Sequence, residues 1–184
     1  HGEPTSANAH PHLSGERVAL VHNGIIENHA TLRNALKAEG VVFQSETATE
    51  VIVHLIHSSL AKGETLFDAV RLTVAKLEGA HAIAVVDTAH DDEVVVAREG
   101  SPLVLGIGIG EMFAGSDTLA LRQVTDTFVY LEDGDLARLS AGGYQIFDKT
   151  GDSLERAETR LRDTDNQADR GEFEHYMLKE IYEQ

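Results

Sequence analysis

The stretch SETATE (45–50) leads into an apolar run, VIVHLIHSSL. Five of its six residues carry a hydroxyl or a carboxylate, and the sixth is Ala48. Thr47 and Glu50 have the T-x-x-E spacing of a capping box, which makes residue 48 the first residue of a helix. A carboxylate there is favoured by the helix dipole, yet the position carries a methyl group. Upstream, VHNGIIENH (21–29) places Asn23-Gly24 at the end of a short apolar run. An exposed Asn amide beside a Gly N–H offers two donors with no side chain to block approach, which is the composition of an oxyanion hole. A plain hairpin turn uses the same dipeptide.

Other patterns carry less. GIGIG (106–110) lacks the spacing of a phosphate loop, and strand and turn glycines account for it. Glu50, His54 and His57 fall at helical spacing, and His10 and His12 flank a proline. Both sets have donor types suited to zinc, but a capping Glu with helix histidines explains the first, and no HExxH is present. No metal and no cofactor are expected. Ser59-x-x-Lys62, Ser116-Asp117-Thr118 and Lys149-Thr150-Gly151 follow the order of a serine β-lactamase signature. Ser59 would sit at the wrong end of its helix, away from the amide groups that favour an alkoxide.

These residues need elements to hold them. The chain has 184 residues, enough for one domain with a proper core. The 31 acids against 15 lysines and arginines give a net charge of −16, which repels phosphate backbones, so no nucleic-acid partner is expected. No apolar run approaches membrane-spanning length, and no leader is visible, so a cytoplasmic location is expected. The first residue is His1 rather than methionine, which suggests an internal fragment. There is no cysteine, which removes disulfides and thiol nucleophiles from these residues.

Strand-like VALVHNG (18–24) precedes a helix capped by Asn28 and stopped by Gly40. VVFQ (41–44) reads as a short strand. A second helix runs from Thr47 to a stop at Gly63, and a third from Thr65 to a stop at Gly79. Beyond Gly79 come short β-rich segments with turns between them, interrupted by SDTLALRQV (116–124), which reads as a short helix. Helices bunched early and strands bunched late predict an α+β fold with an antiparallel-rich sheet. The expected domain occupies 1–150, followed by a charged surface excursion at 151–171 and a linker helix at 172–184.

HGEP (1–4), NAHPH (8–12), HNGIIENH (22–29), SETATEVI (45–52), GSPLVLG (100–106), IFDKTG (146–151) and HYMLKEIYEQ (175–184) occur in that order. Together they resemble the glutaminase domain of the N-terminal-nucleophile amidotransferases, in the branch that makes glucosamine 6-phosphate from fructose 6-phosphate and glutamine. The resemblance implies a four-layer αββα sandwich, incomplete here at its N-terminus, and a sugar-isomerase half beyond residue 184. It implies that an N-terminal cysteine attacks the glutamine amide to give a thioester and that the released ammonia passes to the other half. Asn23 and Gly24 match the family's oxyanion pair. His1 matches a histidine beside the glutamine site. Ala48 stands where the family carries an aspartate that pairs with the α-ammonium of glutamine. Glutamine is then the partner of this domain, fructose 6-phosphate that of the isomerase half, and the full-length protein a homodimer.

With neither the thiol nor that acid, these residues alone are expected to be inactive and, lacking the family's early strands, poorly soluble. A non-catalytic assembly module is the alternative, and a serine hydrolase using Ser59 a more distant one.

Overall fold

Alternate residues along the central strands feed two different cores, and this alternation sets the layers. The computed structural model describes residues 2–161. His1, the expected linker helix and residues 162–171 of the expected excursion lie outside the described residues. A seven-stranded antiparallel sheet has the order β1-β2-β3-β4-β8-β9-β10. Its strands are β1 (His12–Ser14), β2 (Val18–Ile26), β3 (Gly79–Asp87), β4 (His90–Glu99), β8 (Leu136–Ser140), β9 (Gly143–Phe147) and β10 (Ser153–Leu154). A four-stranded antiparallel sheet combines β11 (Glu158–Arg160), β7 (Thr127–Tyr130), β5 (Val104–Ile107) and β6 (Met112–Gly115) in the order β11-β7-β5-β6.

Val18, Leu20, Ile83, Val85, Val95 and Ala97 point to one side of the large sheet, against the helices. Ala82, Val96, Ala137 and Leu139 point to the other, against Leu105 and Val129 of the small sheet. The protein is thus an α+β sandwich of two facing sheets with a helical layer outside the larger one. The outer face of the small sheet, at Val104 and Phe128, is covered by Leu121. Leu121 belongs to residues 116–124, which form consecutive turns rather than the expected helix. Asp117 accepts from the Ala120 N–H at 3.0 Å there, an Asx-type bond that competes with helical pairing.

The helices are α1 (His29–Ala38), α2 (Ala48–Ala61) and α3 (Leu66–Val74). In α2, Val51, Ile52 and Val53 are all fully buried, because α1, α3 and the sheet enclose it on several sides. A continuous apolar run fits such a helix better than a single stripe. Gly40 follows α1 and Gly63 follows α2, both at positive φ, as expected of helix stops.

Several expectations need correction. Asn28 does not cap α1 with its side chain. Its amide donates to the Lys76 carbonyl at 2.8 Å and accepts from the Glu78 N–H at 3.0 Å, tying the start of α1 to the approach to β3. The third helix ends at Val74, and Gly79 opens β3 instead of closing a helix. The sheets also continue past the boundary expected at 150, through β10 and β11.

Candidate active site

Strand β2 runs straight through Asn23-Gly24 to Ile26, paired residue for residue with β3 from Val18↔Asp87 to Ile26↔Gly79. The dipeptide is therefore neither a hairpin turn nor the end of a strand. Gly24 has φ +131°, and a Cβ built there would stand 2.2 Å from the Ala80 carbonyl oxygen and 2.9 Å from Ser101 Oγ. Only glycine fits so close to β3 at that φ. Asn23 pairs with Ala82 and so lies on the face turned toward the small sheet. That sheet does not reach this far: Asn23, Val21, Ile25 and Leu13 are all exposed.

The neighbouring His22 points the other way, into the helical layer. It is buried, and its Nδ1 lies 3.1 Å from Thr49 Oγ1 on α2. Burial pulls the His22 pKa down to about 4, so the imidazole is neutral at pH 7. Its Nε2 has no hydrogen-bond partner among the described residues; the Ala80 carbonyl favours the charged form from outside bonding geometry.

The capping box predicted for α2 is half formed. Thr47 Oγ1 accepts from the Glu50 N–H at 3.3 Å, as expected. Glu50 reaches further back than a capping box requires. Its carboxylate accepts from the backbone N–H groups of Gln44 at 2.7 Å and Ser45 at 2.6 Å, and from Ser45 Oγ at 2.5 Å. On the carbonyl side, Arg33 of α1 donates to Ser45 O at 3.0 Å and Thr47 O at 2.7 Å, with its guanidinium 4.3 Å over the Phe43 ring. Residues 41–44 are hence not the expected strand. The Gln44 and Ser45 N–H groups and the Ser45 and Thr47 carbonyls are taken by two charged side chains rather than by a neighbouring strand. Burial works to raise the Glu50 pKa, but the bonds from Ser45 and Gln44 outweigh it and hold the carboxyl below its ordinary value.

Behind Glu50 lies a polar chain that the sequence did not reveal. Glu50 Oε1 meets His54 Nε2 at 3.1 Å, and His54 Nδ1 meets Ser14 Oγ at 2.8 Å. Ser14 Oγ also meets His57 Nδ1 at 2.6 Å. An ionised carboxylate can only accept, so His54 carries its proton on Nε2. A neutral His54 then accepts at Nδ1 from the Ser14 hydroxyl, which has a single proton, so His57 must donate its Nδ1–H to Ser14. With His54 neutral, these bonds fix both tautomers. His12 joins the same cluster at its far side, with Nε2 3.1 Å from Thr47 Oγ1; burial and the neighbouring His10 lower its pKa.

Ala48 is the first residue of α2, half-buried beside the helical-side core. Ala48 is not hydrogen-bonded to Asn23 or Gly24; what the structure joins are their neighbours, through His22 and Thr49. His54 and His57 take part in the Ser14 chain, and no group of three or more potential metal-ligating side chains occurs among the described residues. The GIGIG glycines run from β5 through its hairpin to β6. Ser59 lies in the last turn of α2, where its carbonyl accepts from Lys62 N–H, and Lys149 pairs with Glu99 at 2.9 Å. The serine-hydrolase order in the sequence thus corresponds to a helix C-terminus and two turns. Ser14 and Arg33, which sequence reasoning missed, left no local signal, since the partners of Ser14, His54 and His57, are 40 and 43 positions away and those of Arg33 are 12 and 14 away. Among the described residues, no helix is long and apolar enough to cross a membrane.

Residues 4–123 match the family described as a glutamine amidotransferase domain. Over all 184 residues, the chain is 52% identical to the glutamine–fructose-6-phosphate aminotransferase (isomerizing) of Pseudomonas putida, 51% to that of Pseudomonas aeruginosa and 50% to that of Escherichia coli O6:H1. It spans 30% of the length of each of these relatives. Among solved structures, glutamine phosphoribosylpyrophosphate amidotransferase from B. subtilis matches 72% of this chain and 29% of its own, with TM-score 0.62 and 28% identity. A structure of the allosteric regulatory enzyme of purine biosynthesis matches 78% of this chain and 31% of its own, with TM-score 0.64 and 28% identity.

Proposed function

Since the chain belongs to the glutamine amidotransferase family, we propose that it is the glutaminase domain of a glutamine–fructose-6-phosphate aminotransferase. The observation that carries this reading is the 50–52% identity to enzymes of that name along the whole chain. Because it spans 30% of their length, the sugar chemistry is assigned to the remainder of such a protein. In this reading a thiol attacks the side-chain amide carbon of glutamine, the C–N bond breaks, ammonia leaves, and water hydrolyses the thioester to glutamate. These residues hold no cysteine, so they bring the oxyanion donors and the substrate surface rather than the nucleophile.

Asn23 and Gly24 are the oxyanion pair. What supports that role is the exposed Asn side chain next to a backbone position where no side chain fits. His1 borders the glutamine. Ala48 occupies the place of an acid that would pair with the glutamine ammonium, and truncating one partner of an enclosed charge pair costs about 2–5 kcal/mol. Glutamine binding is weak for that reason. The full-length protein acts in the cytoplasm as a homodimer and needs no cofactor for this half-reaction.

The test joins this chain to an N-terminal stretch that supplies a cysteine and measures ammonia release from glutamine. The 184 residues alone are expected to release none. In the joined protein, Ala48→Asp should lower KM by about tenfold or more, and Asn23→Ala should lower kcat by about 100-fold. An Asn23→Ala protein with undiminished kcat would remove the oxyanion role.

A further inference from the structure

A cavity of about 470 Å³ opens at one end of the large sheet, between the end of α3, the start of β3, the end of β4 and the turns before β8 and after β9. His81, which lines it, pairs with Gly24 and shares the helical side of the sheet with Ile83. None of Asn23, Gly24 and Ala48 lines it, so this cavity is distinct from the site above. It does not depend on the function proposed there.

Three cations from three elements converge on it: Arg71 from α3, Arg98 from β4 and Lys149 from the turn after β9. That is unexpected in a chain whose acids outnumber its lysines and arginines by 31 to 15. Both acids in its wall are ion-paired. Asp135 gives both oxygens to Arg156, each at 2.9 Å. Glu99 takes one of the three donors of Lys149, at 2.9 Å. Arg98 is held at the Leu131 carbonyl and at Asp133, but Arg71 has only a 3.4 Å contact with Asp68.

The walls also carry nitrogen atoms whose hydrogen bonds are missing. Arg71 Nε, Arg98 Nε and His81 Nδ1 are buried and have no partner among the described residues. His81 as a whole is only 4% exposed. A buried donor left unpaired costs about 1–3 kcal/mol, so the two arginine Nε–H groups, joined by His81 Nδ1 in the tautomer that carries its proton there, favour a guest that accepts hydrogen bonds. Val74, Leu77 and Leu136 give the remaining wall an apolar surface.

We propose that this cavity binds a small organic oxyanion, its phosphate or carboxylate head held by Arg71, Lys149 and His81 and its compact body resting on Val74, Leu77 and Leu136. Arg98 contributes fixed positive charge behind the head group. Small adjustments of the Arg71 and His81 side chains bring their unpaired nitrogens to the guest.

The experiment titrates the protein at low salt with phenyl phosphate, benzoate, inorganic phosphate and benzyl alcohol, following backbone amide shifts by NMR. Saturable binding of phenyl phosphate or benzoate is expected, and the tighter of the two identifies the head group. Arg71→Gln and Lys149→Gln should each weaken it by about fivefold or more, at unchanged melting temperature. Lack of saturation by both aromatic anions up to about 10 mM would overturn the proposal. So would equal binding of benzyl alcohol, equal binding of inorganic phosphate, or a double variant that binds as the parent does.

Discussion

His22 Nδ1 lies 3.1 Å from Thr49 Oγ1, and this contact ties the strand carrying Asn23 and Gly24 to the first turn of the helix that begins at Ala48. Each residue in the pair sits next to a candidate site residue. Moving the helix start relative to the strand therefore means breaking a buried hydrogen bond, which costs about 1–3 kcal/mol.

The buried His22 makes stability depend on pH. Its folded pKa is about 4 and its ordinary value 6.5. Between those values the unfolded chain binds a proton that the folded chain refuses, so stability rises with pH from about 4 to about 6.5 and is complete above that. Burial of His12 and His81 acts in the same direction. Urea melts at several pH values should show this slope, and His22→Gln should remove up to about 3 kcal/mol of it. An unchanged slope in the variant would exclude His22 as the source.

The tautomers around Ser14 are open to direct observation. In 15N-resolved NMR near pH 7.5, His54 should carry its proton on Nε2 and His57 on Nδ1. Ser14→Ala removes the bridge, should destabilise the protein by about 1–3 kcal/mol, and should release His57 from a single tautomer. Finding His54 protonated at Nδ1 instead would refute the direction of the chain.

Glu50 accepts four hydrogen bonds and organises the 44–47 backbone. In Glu50→Gln the amide NH2 faces donors, and a loss of about 2–4 kcal/mol is expected by chemical denaturation at pH 7. The amide protons of Gln44 and Ser45 should then exchange faster. Because the carboxyl is held below its ordinary value, its contribution is present above about pH 4.5 and fades as pH falls through the folded pKa. A Gln variant as stable as the parent would show that the carboxylate does not hold this loop.

Two glycines separate strain from crowding. Gly63 has φ +96° with nothing near a built Cβ, so Gly63→Ala should cost about 1 kcal/mol. Gly24 combines φ +131° with a 2.2 Å clash against the Ala80 carbonyl, so Gly24→Ala should cost more than about 3 kcal/mol and loosen the β2–β3 pairing. Equal costs at the two positions would mean that the backbone approach at Gly24 is not tight.

Ala48→Asp places a carboxylate in the first turn of α2. The helix dipole should make the change stabilising by about 0.5 kcal/mol, read as a small rise in melting temperature with and without glutamine. A fall in stability would show that the core contact of the Ala48 methyl outweighs the dipole.

Local chemistry was enough for the sequence to determine the α+β class, all three helices, most of the strands and the Thr47 cap. Those features depend on residues within a few positions of one another: apolar spacing, a threonine three residues before a glutamate, a glycine after the last turn. The order of the longer strings nominated Asn23, Gly24 and Ala48 as candidates. Long-range partners decided the rest. VVFQ has the composition of a strand, yet Arg33 and Glu50 occupy its backbone neighbours, and Asn28 leaves its helix cap for Lys76 and Glu78. Ser14 became the centre of a buried chain only when β1 packed against α2. A hydrogen bond satisfied 40 residues away leaves no trace in local pattern, and for that reason the support behind the candidate site became visible only in the fold.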